Sequence, residues 1–163
     1  MNVKLIAIAA LGKNRQIGLN GKLPWEIPDE YQHYLKTVKD QYVLVGRKNL
    51  ELNGEDIEGA YPLVLTRNPS YQNEKALVFR DIFEVFSYVE DAEIEKLYVI
   101  GGAEIYQLAL PFVSEFLWTE IDYDGPADTY FPDFSSFQWT KVSEKSHDGW
   151  KLRTLIKIPQ KLY

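Results

Sequence analysis

Short, continuously apolar runs alternate with helix-like segments along most of this chain. The runs are LIAIAAL at 5–11, YVLVG at 42–46, YPLVLT at 61–66, ALVF at 76–79 and KLYVIGG at 96–102. Each run has the length of a strand, and its apolar residues do not alternate with polar ones, which predicts a sheet covered on both faces. Helical patterns between strands indicate parallel βα units. The alternation therefore predicts an α/β fold.

The helix-like segments are residues 28–38, RKNLEL at 47–52, DIFEVFSYV at 81–89 and AEIYQLAL at 103–110. The pattern changes after Phe116, where two alternating segments, 139–146 and 150–158, flank an HDG turn signal. Such a pattern predicts an antiparallel hairpin at the C-terminal end of the sheet. A length of 163 residues suits one domain, and we predict a single domain over residues 1–163.

Composition narrows the classes of function. A formal charge of −6 argues against a general nucleic-acid binder, because no broad basic surface is available for a phosphate backbone. The absence of cysteine excludes thiolate sites and fits a reducing compartment, so we predict a cytoplasmic protein. His33 and His147 are the only histidines and lie far apart in sequence, which predicts no metal site. No apolar run reaches membrane length.

One acidic residue falls on the apolar face of the 28–38 helix. That face carries Ile27, Tyr31, Tyr34, Leu35 and Val38. Glu30 shares it, whereas Asp29 points about 100° away and is expected to rest in water near the positive helix end. Burial among aromatic rings should raise the pKa of Glu30. We predict a functional role for Glu30; pairing with an Arg or Lys from elsewhere in the chain is the alternative.

Three predicted strands end in residues suited to binding phosphate. These are Gly46 followed by Arg47 and Lys48, then Thr66 with Arg67, and finally Gly101 with Gly102. Each group alone has an ordinary alternative, either solvated surface cations or a tight turn that needs glycine. Open α/β sheets bind ligands at the carboxyl ends of their strands, so the coincidence predicts an anionic ligand there. A loop containing Gly18, Gly21, Pro24 and Trp25 has the composition of a mobile lid, with a core tryptophan as the alternative.

The order of these segments resembles the dihydrofolate reductase family. The matching segments are AALGKNRQIGLNGKLPWEIPDE, YVLVGRKN, PLVLTR, YVIGGAEIY, LWTEID and GPADTYFPDF, which together cover nearly the whole chain. The resemblance implies an eight-stranded, mixed and mostly parallel sheet flanked by helices. It also implies NADPH as the cofactor, bound beside a reduced pterin, and a monomeric enzyme of one-carbon metabolism.

The resemblance further implies the reaction and the residues that serve it. Hydride passes from NADPH to C6 of 7,8-dihydrofolate, giving tetrahydrofolate, and Glu30 binds the pterin and assists protonation at N5. Trp25 and Thr119 match residues that orient this carboxylate. Ile8 and Ile100 match positions whose backbone carbonyls meet the pterin. The other residues implied to line the substrate cleft are Tyr31, Tyr34, Asn53 and Ile57.

On the cofactor side, Ala10 and Ile17 match positions that hold the nicotinamide carboxamide through backbone bonds. The pyrophosphate region matches Gly101, Gly102, Ala103, Glu104, Ile105 and Tyr106, with the Tyr106 ring near the nicotinamide. The region of the adenosine 2′-phosphate, which favours NADPH over NADH, matches Gly46, Arg47, Lys48, Asn49, Thr66 and Arg67.

Three positions depart from the family pattern. Ala60 stands where the family usually has an arginine that pairs with the α-carboxylate of the substrate's glutamate tail. Lys36 or Lys39 could substitute only as flexible point charges. Asn49 replaces a threonine, and Ala103 replaces a third glycine, in regions where backbone N–H groups do most of the binding.

Two other functions share parts of this pattern. A reductase of another heterocycle, such as a tail-less pterin or a pyrimidine of riboflavin synthesis, would be indifferent to the missing arginine. A nucleotide-binding module without catalysis would keep the phosphate-binding residues and have no use for Glu30. The combination of Trp25 with Glu30 favours the dihydrofolate reductase, whose partner is a small substrate and not a nucleic acid or a membrane.

Overall fold

Ten strands and four α-helices form within residues 2–159, the part of the chain that this computed structural model describes. The strands are β1 (Lys4–Leu11), β2 (Gln16–Gly18), β3 (Tyr42–Gly46), β4 (Tyr61–Leu65), β5 (Leu77–Phe79), β6 (Lys96–Gly101), β7 (Glu115–Ile121), β8 (Thr129–Tyr130), β9 (Trp139–His147) and β10 (Trp150–Lys157). The helices are α1 (Pro28–Val38), α2 (Arg47–Asn53), α3 (Ile82–Asp91) and α4 (Ala103–Ala109). Short 3₁₀ turns, Gly54–Ile57 and Leu110–Phe112, follow α2 and α4.

Eight of the strands form one sheet in the order β5-β4-β3-β6-β1-β7-β10-β9. All pairs are parallel except β7 with β10 and β10 with β9. This mixed, mostly parallel sheet with a C-terminal antiparallel hairpin confirms the predicted fold class. Strands β2 and β8 form a separate two-stranded ladder that the sequence patterns do not predict. The two strands are only three and two residues long, too short to show a period.

Both faces of the sheet are covered, as the continuously apolar strands predict. Alternate residues of β1 point to opposite faces. Ile6 and Ile8 join a buried cluster with residues of α1, whereas Leu5, Ala7 and Ala9 join a larger cluster with residues of α3 and α4. Strand β1 lies between β6 and β7, at the centre of the sheet. No helix in residues 2–159 is long and apolar enough to cross a membrane.

Helix α1 begins and ends where the sequence predicts. Pro28 occupies the first turn, where its missing N–H costs nothing, and Asp29 and Glu30 lie beside the positive helix end. Only Glu30 and Val38 of this helix are fully buried. The helix therefore holds a carboxylate against the sheet at the edge of the core.

The C-terminal hairpin turns at Asp148 and Gly149, at the predicted HDG signal. Gly149 has φ = +83°, a left-handed conformation that glycine adopts without strain. The hairpin brings β10 against β7, with Leu152 opposite Thr119 and Trp150 opposite Ile121. It thereby places Trp150 beside the start of α1, where its indole donates to Asp29.

Candidate active site

A cleft of about 860 Å³ opens at the carboxyl ends of β1 and β6. Helices α1 and α2 and the loop between β2 and α1 form its walls. The predicted site residues that line it are Ile8, Ala10, Ile17, Trp25, Glu30, Tyr31, Tyr34, Lys48, Asn49, Asn53, Ile57, Ile100, Gly102, Tyr106 and Thr119. The structure thus brings together residues from most of the chain at the edge where open sheets bind ligands.

Other predicted site residues lie outside the lining of this cleft. They are Gly46, Arg47, Thr66, Arg67, Gly101, Ala103, Glu104 and Ile105. Gly46 packs against Ile105, since a Cβ at residue 46 would lie 3.1 Å from Ile105 Cγ1. Ile105 is itself buried in the core beneath α4. These two residues therefore serve the packing of α4 against the end of β3.

Glu30 is 5% exposed and lines the cleft. Within residues 2–159 no Lys, Arg or His side chain forms an ion pair with it. Burial, and then the neighbouring charge of Asp29, raises the pKa of Glu30 from its ordinary value to about 7. This direction agrees with the sequence-based expectation. A carboxyl group with such a pKa can exchange a proton near neutral pH.

Two tyrosines of α1, Tyr31 and Tyr34, line the cleft near Glu30. Their rings lie 6.0 Å apart, and the Tyr31 hydroxyl donates a hydrogen bond to Asp56. Burial raises the pKa of Tyr31 and of Tyr34, so both phenols remain neutral across the physiological range. Both tyrosines line the cleft together with Glu30 and add aromatic surface to it.

Trp25 and Thr119 approach the same region from two other elements. The Trp25 ring packs 5.5 Å from that of Tyr123, and its buried Nε1–H has no hydrogen-bond partner within the described residues. Thr119 is 4% exposed and lies between Ala10 of β1 and Leu152 of β10. A buried donor without a partner is costly, so the Trp25 indole is available to a ligand or an ordered water.

The backbone carbonyls of Ile8 and Ile100 are held by side chains at the floor of the cleft. The buried Tyr106 hydroxyl donates to the Ile8 carbonyl at 2.7 Å, and Asn49 Nδ2 donates to the Ile100 carbonyl at 3.3 Å. A carbonyl oxygen has two lone pairs, so each can accept a second hydrogen bond. Asn49, predicted as a tolerable departure, therefore has a defined role here in orienting a carbonyl.

Two glycines follow β6, and the peptide bond between them is cis. Gly101 has φ = +98°, and a Cβ there would lie 2.7 Å from Cε2 of Tyr106. Only glycine fits this position. A Cβ at Gly102 would meet no atom within 4 Å, and Gly102 lines the cleft. The backbone is therefore open to a ligand at Gly102.

The predicted phosphate-binding cations differ in their surroundings. Lys48 is exposed and lines the cleft. Arg47 pairs with Glu51 at 3.1 Å, and Arg67 pairs with Glu104 at 2.8 Å. The sequence predicts an anionic ligand for both arginines, with solvated surface cations as the alternative, and the structure gives each arginine an acidic partner. Each carboxylate contacts one terminal nitrogen of its arginine, so an incoming phosphate would use the remaining N–H donors or compete with the carboxylate.

The glycine-containing loop lies along the cleft, through Gly18, Gly21 and Trp25. It is tied to residues near β8, because the Asn20 N–H donates to Asp128 Oδ2 at 2.9 Å. The Asp128 N–H in turn donates to the Gly18 carbonyl at 3.0 Å. Its position fits a lid, and its mobility stays a prediction.

Ala60 lies in a smaller groove of about 280 Å³ beside the main cleft. Ile57 lines both spaces, so the groove continues from the substrate side of the cleft. Lys36 of α1 and Lys39, the residue that caps the end of α1, line the same groove as Ala60. A role for either lysine in binding the glutamate tail stays a prediction.

Sequence patterns do not predict several of the residues and contacts around the cleft. Leu52, Thr129 and Leu152 line the cleft without any local signal of function. Asp29 is exposed as expected, yet it accepts a hydrogen bond from Trp150. His33 also lines the cleft. His33 and His147, far apart in sequence, both have their rings against that of Trp150.

The sequence model of the family described as dihydrofolate reductase matches residues 4–155. The chain belongs to the dihydrofolate reductase family. Two dihydrofolate reductase relatives illustrate the likeness. The dihydrofolate reductase of Lactococcus lactis is 36% identical over 150 residues, covering 88% of each chain. Dihydrofolate reductase type 3 of Salmonella typhimurium is 31% identical over 140 residues, covering 86% of this chain and 85% of its own.

A solved dihydrofolate reductase has the same fold. The enzyme from Enterococcus faecalis, in complex with NADP(H) and RAB-propyl, superimposes with a TM-score of 0.84 at 26% identity. The match covers 96% of this chain and 98% of that one. Family, fold class and enzyme class, predicted as dihydrofolate reductase, are thereby confirmed.

Proposed function

We propose that this dihydrofolate reductase reduces 7,8-dihydrofolate to tetrahydrofolate through a cleft in which Glu30 binds the pterin and assists protonation at N5. The observation that carries this proposal is a buried glutamate that lines the cleft and has no ion-pair partner among the described residues. A structural acid at this position would be expected to pair with a cation.

The predicted cofactor, NADPH, is confirmed by family membership, and the residues present fit it. Open space in front of Gly102 admits a ligand to the backbone. Lys48 offers a cation at the edge of the cleft that forms no ion pair within residues 2–159. When bound, NADPH supplies the hydride that reaches C6 of the pterin. The chain's own part is to hold both molecules in a cleft that excludes water, which supplies much of the rate.

Glu30 has two tasks in this proposal. As a carboxylate it accepts hydrogen bonds from the 2-amino group and a ring N–H of the pterin, a bidentate arrangement that stabilises the charged form. As an acid it assists protonation at N5. A pKa near neutrality allows both forms to be populated. Trp25 and Thr119 orient the carboxyl group, while Tyr31 and Tyr34 add aromatic surface to the same cleft.

The proposal is tested by following NADPH oxidation with 7,8-dihydrofolate and, separately, with a tail-less dihydropterin. Turnover of dihydrofolate that requires NADPH supports it. Oxidation of NADPH by neither substrate would overturn it. Turnover of the dihydropterin alone would favour the reductase of another heterocycle.

The pH dependence of kcat/KM follows from the raised pKa of Glu30. Because kcat/KM reports groups of the free enzyme, its value for dihydrofolate should fall as pH rises through about 7. The fall should approach about tenfold per pH unit as the carboxyl proton is lost. Steady-state kinetics from pH 5 to 9 in a constant-ionic-strength buffer measures this profile. If kcat/KM does not change as the pH rises through about 7, the role of Glu30 in protonation is contradicted.

Cofactor preference gives a second prediction. The wild-type protein should have a much higher kcat/KM for NADPH than for NADH, and Arg67→Ala should reduce the ratio of the two values. Arg67 is 85% exposed and already paired with Glu104, so its contribution should be no more than about 1 kcal/mol, or about fivefold. Glu104→Gln should increase this ratio, because it removes the carboxylate that competes with the 2′-phosphate for Arg67.

The measurement is kcat/KM for NADPH and for NADH in each variant. Glu84→Gln, on α3, removes an equal charge away from the cleft and serves as the control. Equal use of both cofactors by the wild-type protein would refute the assignment of a 2′-phosphate region. If Glu104→Gln leaves the ratio of kcat/KM for NADPH to kcat/KM for NADH unchanged, Arg67 does not belong to the 2′-phosphate region.

We also propose that residues 1–163 form one domain that acts as a monomer in the cytoplasm. Residue 1 and residues 160–163 lie outside the described part of the chain. The absence of cysteine is compatible with a reducing compartment. Size-exclusion chromatography with light scattering tests the monomer.

A further inference from the structure

A hydrogen bond joins the C-terminal hairpin to the start of the helix that carries Glu30. Trp150, 6% exposed in β10, donates from its indole Nε1 to Asp29 Oδ2 at 3.0 Å. Asp29 directly precedes Glu30 in the first turn of α1. An exposed aspartate would ordinarily sample many rotamers, whereas this one is held by a buried donor. Its negative charge is therefore kept beside the active-site carboxyl group.

Two histidines lie on the same tryptophan. The His147 ring stacks on Trp150 with centroids 3.9 Å apart and an interplanar angle of 10°. His33, one helical turn after Asp29, has its ring 5.7 Å from that of Trp150. Burial, and then the charges of His147, Lys145 and Lys36, lowers the pKa of His33. Its imidazole is therefore neutral at neutral pH and leaves the charge of Asp29 uncompensated.

We propose that Asp29, held by Trp150, is a positioning residue that acts through Glu30 and sets the pH range in which Glu30 carries its proton. This inference rests on the proposed function of Glu30. A fixed like charge disfavours ionisation of a neighbouring acid in a water-poor site. Burial has the larger influence on Glu30, and Asp29 adds to it in the same direction.

Lys22, Glu26 and Lys48 also line the cleft, but Asp29 is the charged neighbour that raises the pKa of Glu30. Tyr31, Tyr34 and Tyr106 have pKa values raised by burial and stay neutral. Asp56, on the 3₁₀ turn after α2, accepts a hydrogen bond from the Tyr31 hydroxyl on the far side of that ring. Protonation of His33 would oppose Asp29, and Lys36 and Lys145 face His33 from α1 and β9.

Asp29→Asn is the matched substitution, because an asparagine amide oxygen can still accept from the Trp150 indole while the charge is gone. The carboxyl resonance of Glu30, identified by its absence in Glu30→Gln, is titrated by ¹³C NMR in the free protein. The kcat/KM for dihydrofolate is measured over the same pH range. Asp91→Asn, at the end of α3, removes an equal charge from a helix that does not line the cleft.

Both midpoints should shift to lower pH in Asp29→Asn, by about half a pH unit or more. On the alkaline limb kcat/KM should fall about threefold or more, while its acidic plateau is unchanged. Asp91→Asn should match the wild-type protein. Unshifted midpoints in Asp29→Asn would overturn the proposal, since a merely structural role would change stability and not the pH profile.

Trp150→Phe tests the part played by the indole, since it keeps an aromatic ring for His147 and removes the donor. In Trp150→Phe both midpoints should shift to lower pH by less than in Asp29→Asn, because the Asp29 side chain becomes free to turn into water. No shift would show that Trp150 does not hold the charge in place. Absence of dihydrofolate turnover at every pH would overturn the proposed function instead, and the titration in the free protein would still decide the effect of Asp29 on Glu30.

Discussion

Glu30→Gln is expected to bind NADPH normally and to turn over dihydrofolate about 10²- to 10⁴-fold more slowly than the wild-type protein at neutral pH. The substitution keeps the shape of the side chain and removes the proton that the proposed mechanism delivers toward N5. It also replaces one hydrogen-bond acceptor by a donor, which the pterin amino group cannot use. The loss should therefore appear in kcat as well as in KM.

Single-turnover kinetics with both ligands bound, together with fluorescence titration of NADPH, separates the two effects. Glu90→Gln on α3 is the control for loss of a carboxylate at a site away from the cleft. Addition of 7,8-dihydrofolate already protonated at N5, at low pH, should recover part of the rate. Unchanged turnover in Glu30→Gln would exclude the carboxyl group from catalysis.

Glu30→Gln should also change how the free energy of unfolding depends on pH. The pKa of Glu30 rises on folding from 4.5 to about 7, so the folded state binds more protons between these values and stability falls as pH rises through them. At 1.36 kcal/mol per pH unit, this corresponds to a penalty of up to about 3 kcal/mol above pH 7. The free energy of unfolding is measured by urea denaturation for both proteins. The difference between Glu30→Gln and the wild-type protein should favour the variant more at pH 8 than at pH 4.5.

Ala60→Arg is expected to raise kcat/KM for dihydrofolate by about 10- to 100-fold relative to a tail-less dihydropterin. The groove beside the cleft offers the tail two flexible lysines, Lys36 and Lys39, in place of a planar guanidinium. An arginine at residue 60 supplies a bidentate donor for a carboxylate. The tail is remote from the reacting carbon, so the gain should appear mostly in KM.

Ala60→Gln is a useful control, because it fills the groove with a long polar side chain that has no charge. Ala60→Gln should increase kcat/KM for dihydrofolate, relative to the tail-less dihydropterin, much less than Ala60→Arg does. Strong discrimination for the tail in the wild-type protein, unchanged in Ala60→Arg, would mean that another cation binds the carboxylate. Ala60 is 7% exposed, so thermal unfolding of each variant should accompany the kinetics to detect overpacking.

The elements that the sequence predicts well are those whose signals are local. Helix α1 is fixed by Pro28 at its start and by an apolar stripe within one segment, and its predicted bounds agree with the structure. The expectation for Glu30 depends on that same stripe, so its burial could be predicted together with the helix. Parallel strands were predictable because being covered on both faces leaves continuous apolar runs.

Partners that come from distant segments were not predictable from local patterns. Asp29 and Trp150 are separated by 121 positions, and nothing near Asp29 indicates an indole donor. Arg67 looked like a cation awaiting phosphate because Glu104 belongs to a different βα unit. Each of these contacts depends on how the sheet is ordered, and strand order is a property of the whole chain.

The central position of β1 has a consequence for how the protein is made. Its two neighbours, β6 and β7, end at Gly101 and Ile121, so β1 leaves the ribosome well before either of the strands that pair with it. Until then an apolar strand with two open edges is exposed to association with other chains. Trp150 arrives later still. A nascent chain therefore carries Glu30 long before it has a site in which that acid can work, and we expect chaperone engagement to be concentrated on residues 4–11.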